Sequence, residues 1–327
     1  MATLTDDLAG EYRALNQDCG LIDRSERGKL ALTGTERKSF LAGQVTNDIE
    51  GLEPGSGCYA AFLTHKGKML GDLRVLDVED DGDDEPEPTL LLDTERATLQ
   101  ALFDLVRRFK IGYDVELHKR TVQRGLLSLI GPGARAVAAA EAVPVDEYAH
   151  RPGEIAGHTV RLIATESGID VLCEAEATED VRAALRAAGA TPVSEEAAEI
   201  LRVESGRPRY GVDADDATIP QEAGLNARAV SFTKGCYVGQ ETVARLFYRG
   251  KPNRHLRGLT LSEHVAAGAE LRLGEKVVGR LTSSLVSPTF GPIALALVRR
   301  EAGPGDTLEV AGGASATVVE LPFSVSD

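Results

Sequence analysis

Hydrophobic positions along the chain change their period several times, and each change marks a different kind of element. Over residues 94–109, Leu99, Leu102, Phe103 and Val106 fall at i, i+3, i+4 and i+7. That single apolar stripe predicts a helix, with Thr94 as its N-cap. Short or alternating apolar runs at 29–33, 58–63, 70–78, 126–130, 160–163 and 169–173 predict strands. Alanine-rich stretches at 134–142, 178–188 and 195–205 predict helices, because alanine loses no side-chain entropy on entering one. Strands and helices thus alternate loosely over the first 250 residues, an α+β pattern. After Lys251-Pro252 the texture becomes short runs at 256–261, 276–286, 293–298 and 315–321, punctuated by Gly and Pro, which predicts a small terminal β domain over 251–327.

Composition narrows the function more than the fold. The 327 residues suffice for two or three domains. With 36 basic against 51 acidic side chains the net charge is −15, which argues against general nucleic-acid binding, since a polyanion is gripped by clustered Lys and Arg. Nearly half of that charge comes from the stretch EDDGDDEPE at 79–87, seven carboxylates in nine residues, which reads as a solvated hairpin loop. Without it the protein is only mildly acidic. Cys19, Cys58, Cys173 and Cys236 form no C-x-x-C pair, so no zinc or iron-sulfur ligand set is visible and reduced thiols in a cytoplasm are expected. Asp6 and Asp7 near the N-terminus, and the lack of any run approaching 18 apolar residues, predict neither secretion nor membrane spanning.

The densest chemistry lies in KGCYVGQE: Lys234, Gly235, Cys236, Tyr237, Val238, Gly239, Gln240 and Glu241. It opens a helical pattern carrying Val243, Leu246 and Phe247 on one side. A positive helix end and the neighbouring Lys234 favour thiolate at Cys236, while Glu241 opposes it. A buried, inert packing cysteine is the bland alternative. The six histidines are scattered without metal-ligand spacing, and none is an evident partner for a thiol nucleophile.

KGCYVGQE, followed by Thr242-Val243-Ala244-Arg245, Tyr248-Arg249-Gly250 and Arg254, closely resembles the signature of YgfZ-type folate-binding proteins, within the wider family of the glycine-cleavage T-protein (aminomethyltransferase). FLAGQVTND at 40–48 resembles the first family block and KGKMLGDL at 66–73 the second. Arg202-Val203-Glu204-Ser205-Gly206, Tyr210-Gly211-Val212-Asp213 and Ile219-Pro220-Gln221-Glu222 are similar to a third, shared with T-proteins.

The resemblance implies a three-domain disc around a central cavity holding tetrahydrofolate. Residues 1–250 would form two intertwined α+β domains, one including about 50–120, and a small β-barrel would follow. T-proteins carry two aspartates after the glycine of the second block; this chain has Gly71-Asp72, one of the pair, and Asp72 is the carboxylate placed at the folate nitrogens. A turn or surface residue is the alternative for Asp72. Glu166 would accept from the pterin edge and Arg202 would bind the folate, against the alternatives of surface charge and a helix salt bridge. Glu222 is a further inward-facing candidate. The chain has no Trp, so aromatic stacking falls to Tyr237 or Tyr59. The function this implies is a cytoplasmic tetrahydrofolate-binding accessory protein for iron-sulfur client enzymes, acting through the folate and Cys236. The alternative is an aminomethyltransferase working through Asp72.

Overall fold

The structure, a computed structural model, describes residues 5–79 and 87–324. A first antiparallel sheet runs in the order Gly57–Leu63, Met69–Val78, Thr89–Thr94, Gly28–Thr33, Glu116–Lys119. The period of two divides each strand between two faces. On Met69–Val78, Leu73 and Val75 enter a core shared with Phe40 and Leu41 of helix Arg37–Gln44 and with Leu102 and Val106 of helix Leu99–Phe109. Each such buried side chain contributes about 1.5–3 kcal/mol. Asp72 and Arg74, out of phase with these, line a cavity on the other side.

The predicted strands are all present, mostly a residue or two longer. The helix expected from Thr94 begins instead at Leu99. Thr94 ends a strand, paired with Gly28, and its hydroxyl donates to the Asp72 carbonyl at 2.5 Å. Strand pairing takes this β-branched residue, and a turn over 95–98 separates it from the helix. In the alanine-rich stretch 134–142 only Ala134–Val137 is helical, and the chain reaches a positive φ of 50° at Ala139.

A second sheet is ordered Thr191–Pro192, Gly20–Asp23, Arg124–Ile130, Gly168–Glu174, His158–Thr165, His150–Ile155. Helix Thr178–Ala187 covers it with Val181 and Leu185, while helices Asp6–Gln17 and Glu195–Glu204 close another side through Leu15, Ala197 and Ala198. The two sheets share a core of Ala31, Leu76, Val78, Leu91, Leu126, Ile163 and Leu172. Arg74 pins them electrostatically, donating to Asp93 of the first at 2.9 Å and to Asp170 of the second at 2.6 Å.

The terminal β domain is a closed six-stranded barrel, Arg254–Leu261, Gly291–Arg299, Lys276–Ser287, Glu270–Leu273, Thr307–Val310, Ser315–Val319. Glu270–Leu273 and Thr307–Val310 escape the hydrophobic pattern because each is only four residues long, two apolar alternating with two polar. Around the acidic stretch, Met69–Val78 and Thr89–Thr94 pair antiparallel with Val78 opposite Thr89, whereas 80–86, where the hairpin loop is expected, lie outside the described residues.

Candidate functional site

Both sheets, helix Glu195–Glu204 and the barrel's Phe290 contribute walls to one cavity of about 1040 Å³. Its charged floor follows from strand register. Tyr59, Arg74 and Asp93 are neighbours across three adjacent strands, and Asp72 sits one register step from Arg74 on the same face. Asp72 is only 7% exposed and lines the cavity. The Tyr59 hydroxyl donates to its Oδ2 at 2.5 Å, and the residue's own backbone N–H also lies against the carboxyl. Burial pushes the Asp72 carboxyl up to about 6, with the Tyr59 hydrogen bond and the Arg27 charge opposing it. Asp93 goes the other way. Burial raises it, but Arg27 and Arg74 outweigh burial and hold it at about 2. The first sheet therefore offers one carboxylate locked as an anion and another that takes and loses a proton near neutral pH.

Over the Tyr59 ring, Arg228 donates to Glu147 at 2.7 Å and to the Tyr148 hydroxyl at 2.8 Å, its guanidinium 5.0 Å from the ring centre. Burial works against ionisation of Glu147, but Arg228 and Arg207 prevail and lower its pKa. Arg207 also pairs with Glu166. Glu166 is not the buried acceptor expected from sequence. It occupies the turn between His158–Thr165 and Gly168–Glu174, on the cavity rim, with its side chain 58% exposed. The carboxylate on that side that is both inside the cavity and largely buried is Asp170, which accepts from Arg74 and from Ser128 at 2.7 Å.

KGCYVGQE lies against the loop preceding Asp72. Gly239, with φ +85°, caps helix Gln240–Arg249, and a Cβ there would meet the Thr64 carbonyl at 2.5 Å. Gly67, with φ +75°, faces it, and a Cβ there would meet Thr242 at 2.8 Å. The second family block and the signature therefore pack backbone against backbone, which glycine alone permits. Gly235 has open space around it. The Lys234 ammonium donates to the carbonyls of Ala42 and Val45, capping helix Arg37–Gln44, and burial lowers its pKa to about 8. Lys234 is thus bonded to a helix end rather than to the thiol. Cys236 is exposed and does not line the cavity, so an accessible sulfur is present but not on the cavity wall. Glu241 and Arg245 are exposed on the helix that Gln240 begins.

Comparison with known proteins bears on this arrangement directly. Residues 2–234 match the GCVT N-terminal domain, and 254–324 match the glycine cleavage T-protein C-terminal barrel domain. The chain belongs to the glycine cleavage T-protein family. It is 29% identical to an aminomethyltransferase of Rippkaea orientalis, over 97% of this chain and 89% of the relative, and 30% identical to one of Thermotoga petrophila, over 96% and 88%. The fold is that of the glycine cleavage system aminomethyltransferase T from Bartonella henselae, with a TM-score of 0.84 at 23% identity, covering 97% of this chain and 89% of that one.

Membership in the family sharpens what the side chains do and do not support. At Gly71, just before Asp72, an added Cβ would lie 2.6 Å from the Phe62 ring, so a side chain here would displace that ring. Arg202 reaches the cavity wall, but all five of its N–H groups meet protein acceptors: Glu199 twice, Asp213, the Arg207 carbonyl and Ser283. It clamps helix Glu195–Glu204 to the barrel and has no donor left for a folate. Glu222 is buried away from the cavity, accepting from Arg254 at 2.9 Å. Tyr237 is buried among Ala61, Leu63, Met69 and Val243, with the Lys234 ammonium 4.8 Å from its ring centre, and offers no stacking face to the cavity.

Glu147, Tyr148, Asp170 and Arg228 escaped the sequence reading. The available signal was charge inside apolar runs: Asp170 between Ile169 and Val171, and Arg228 between Ala227 and Ala229.

Proposed function

We propose that this T-protein family member is a tetrahydrofolate-dependent aminomethyltransferase, moving a one-carbon unit from an aminomethyl carrier to the folate, with Asp72 as the proton-handling group. The observation that carries this is the Asp72 carboxyl: buried, lining the cavity, and with its pKa at about 6. Forming a one-carbon bridge at a folate nitrogen displaces a proton from that nitrogen, and a carboxylate ionising near neutral pH suits its removal. The cavity is large enough for a folate, at the upper end of the roughly 300–1,000 Å³ of small-molecule pockets. Its lining mixes acceptors on Asp170 and Glu147 with the phenol of Tyr148, a polar set able to meet the donors and acceptors of a pterin edge. Relatives of nearly full length named aminomethyltransferase support this reading over the accessory role.

The test is Asp72→Asn. The substitution keeps size and an acceptor for Tyr59, so tetrahydrofolate affinity by calorimetry should stay within a few-fold while one-carbon transfer falls about 10²–10⁴-fold. Equal loss of binding and turnover would make Asp72 a binding residue only.

A second reading rests on one separate observation, the exposed Cys236 in the YgfZ-type signature. In that reading the protein serves iron-sulfur client enzymes, and Cys236→Ser rather than Asp72→Asn abolishes its effect on client activity.

A further inference from the structure

Tyr59 was a candidate for stacking against a folate ring, and the structure gives it different surroundings. One approach to its ring is covered by the Arg228 guanidinium, 5.0 Å from the ring centre, and its hydroxyl is engaged on Asp72 Oδ2 at 2.5 Å. Arg228 is itself anchored by Glu147 and Tyr148, so the phenol is held from above as well as at its tip. The backbone of Asp72 is held too: its carbonyl accepts from Thr94, whose hydroxyl also meets that of Thr98 at 2.5 Å.

We propose that Tyr59 is a positioning residue for Asp72: it fixes the carboxyl rotamer through Oδ2. The proposal rests on the aminomethyltransferase reading for its consequence, though not for its geometry. A carboxylate free to rotate about its last bond would present either oxygen in several directions, and holding it removes that freedom before substrate arrives. Burial and the adjacent carboxylate raise the Tyr59 pKa well above its ordinary value, so the phenol stays protonated and can only donate. Three other groups face this pair. Arg27 and Glu95 act on Asp72 with opposite signs from the ends of neighbouring strands, and Tyr210 lines the cavity close enough to feel the Asp72 charge. None of the three is hydrogen-bonded to the Asp72 carboxyl, which leaves the Tyr59 hydroxyl as the side chain that orients it among the described residues.

The experiment is Tyr59→Phe, which keeps the ring beneath Arg228 and deletes the donor. Three readouts are needed: tetrahydrofolate affinity, the pH dependence of one-carbon transfer, and the titration of Asp72 followed by carbon-13 NMR of labelled aspartate carboxyls. Losing a hydrogen bond to the charged form should move the Asp72 midpoint up by about one pH unit. The acid limb of kcat should move with it, giving about a fivefold loss near pH 6 that recovers by about pH 8 apart from a pH-independent fall from the freed rotamer. Folate affinity should stay within about threefold. An unmoved Asp72 midpoint overturns the proposal, as does an equal loss at every pH accompanied by loss of folate binding. If the wild-type protein binds no tetrahydrofolate, the aminomethyltransferase reading fails, while the NMR midpoint still decides the role of Tyr59.

Discussion

At the scale of single residues, two carboxylates a few ångströms of sheet apart end with opposite habits, and this follows from their neighbours. Asp93 has two arginines; Asp72 has a phenol and a distant charge. The cost of that arrangement is visible in stability. An aspartate that ionises at 3.8 when free and at about 6 here keeps its proton in the fold between those values. Stability therefore falls as pH rises from about 4 to 6 and stays lowered above that, by about 3 kcal/mol for a shift of about two units. Asp72→Asn should accordingly raise Tm by several degrees at pH 8 and by nothing at pH 3.5, measured by calorimetry. A variant less stable than wild type at both pH values would contradict the burial argument.

The thiols divide just as plainly. Cys19 and Cys173 are buried, and burial pushes Cys58 up to about 12, whereas Cys236 is exposed. Brief alkylation of the native protein, read by mass spectrometry, should label Cys236 first and Cys58 only after unfolding.

At the scale of elements, the signature stretch is informative for a reason its chemistry does not reveal. Gly67 and Gly239 are needed because two turns meet backbone to backbone, and both adopt positive φ. Gly239→Ala should cost about 2 kcal/mol or more in a denaturant titration, since it combines a strained φ with a carbonyl clash. Strands and helices were legible because their apolar periods are long, as with Leu73 and Val75 against Asp72 and Arg74 on one strand. Thr94 was misplaced because an N-cap threonine and a strand-ending threonine are the same letter before register is known. Asp72 could be found by resemblance. Arg202 and Glu222 misled for a physical reason: a charged side chain carried on a family block can serve the joint between domains as readily as a ligand. Lys234 misled similarly, its ammonium capping a helix whose end is 189 residues away in sequence.

At the scale of the whole molecule, the barrel is joined to the rest by buried charge pairs. Arg254 meets Glu222, while Asp213 takes Arg202 on one side and barrel residues Thr282 and Ser283 on the other. Glu222→Ala leaves the part-exposed Arg254 and the buried Ile219 N–H without their acceptor, so it should destabilise by about 1–3 kcal/mol without changing the tetrahydrofolate affinity of the folded protein. A variant that weakened folate binding while leaving stability intact would restore Glu222 to the site. The cavity depends on these joints, because its walls come from both sheets, helix Glu195–Glu204 and Phe290 of the barrel.

The most direct trial of the central claim is the rate of one-carbon transfer to saturating tetrahydrofolate by wild type and Asp72→Asn, side by side at pH 7.5. The wild type should turn over and the variant should be slower by at least about 100-fold, with the folate still bound. Equal rates in the two proteins would contradict it.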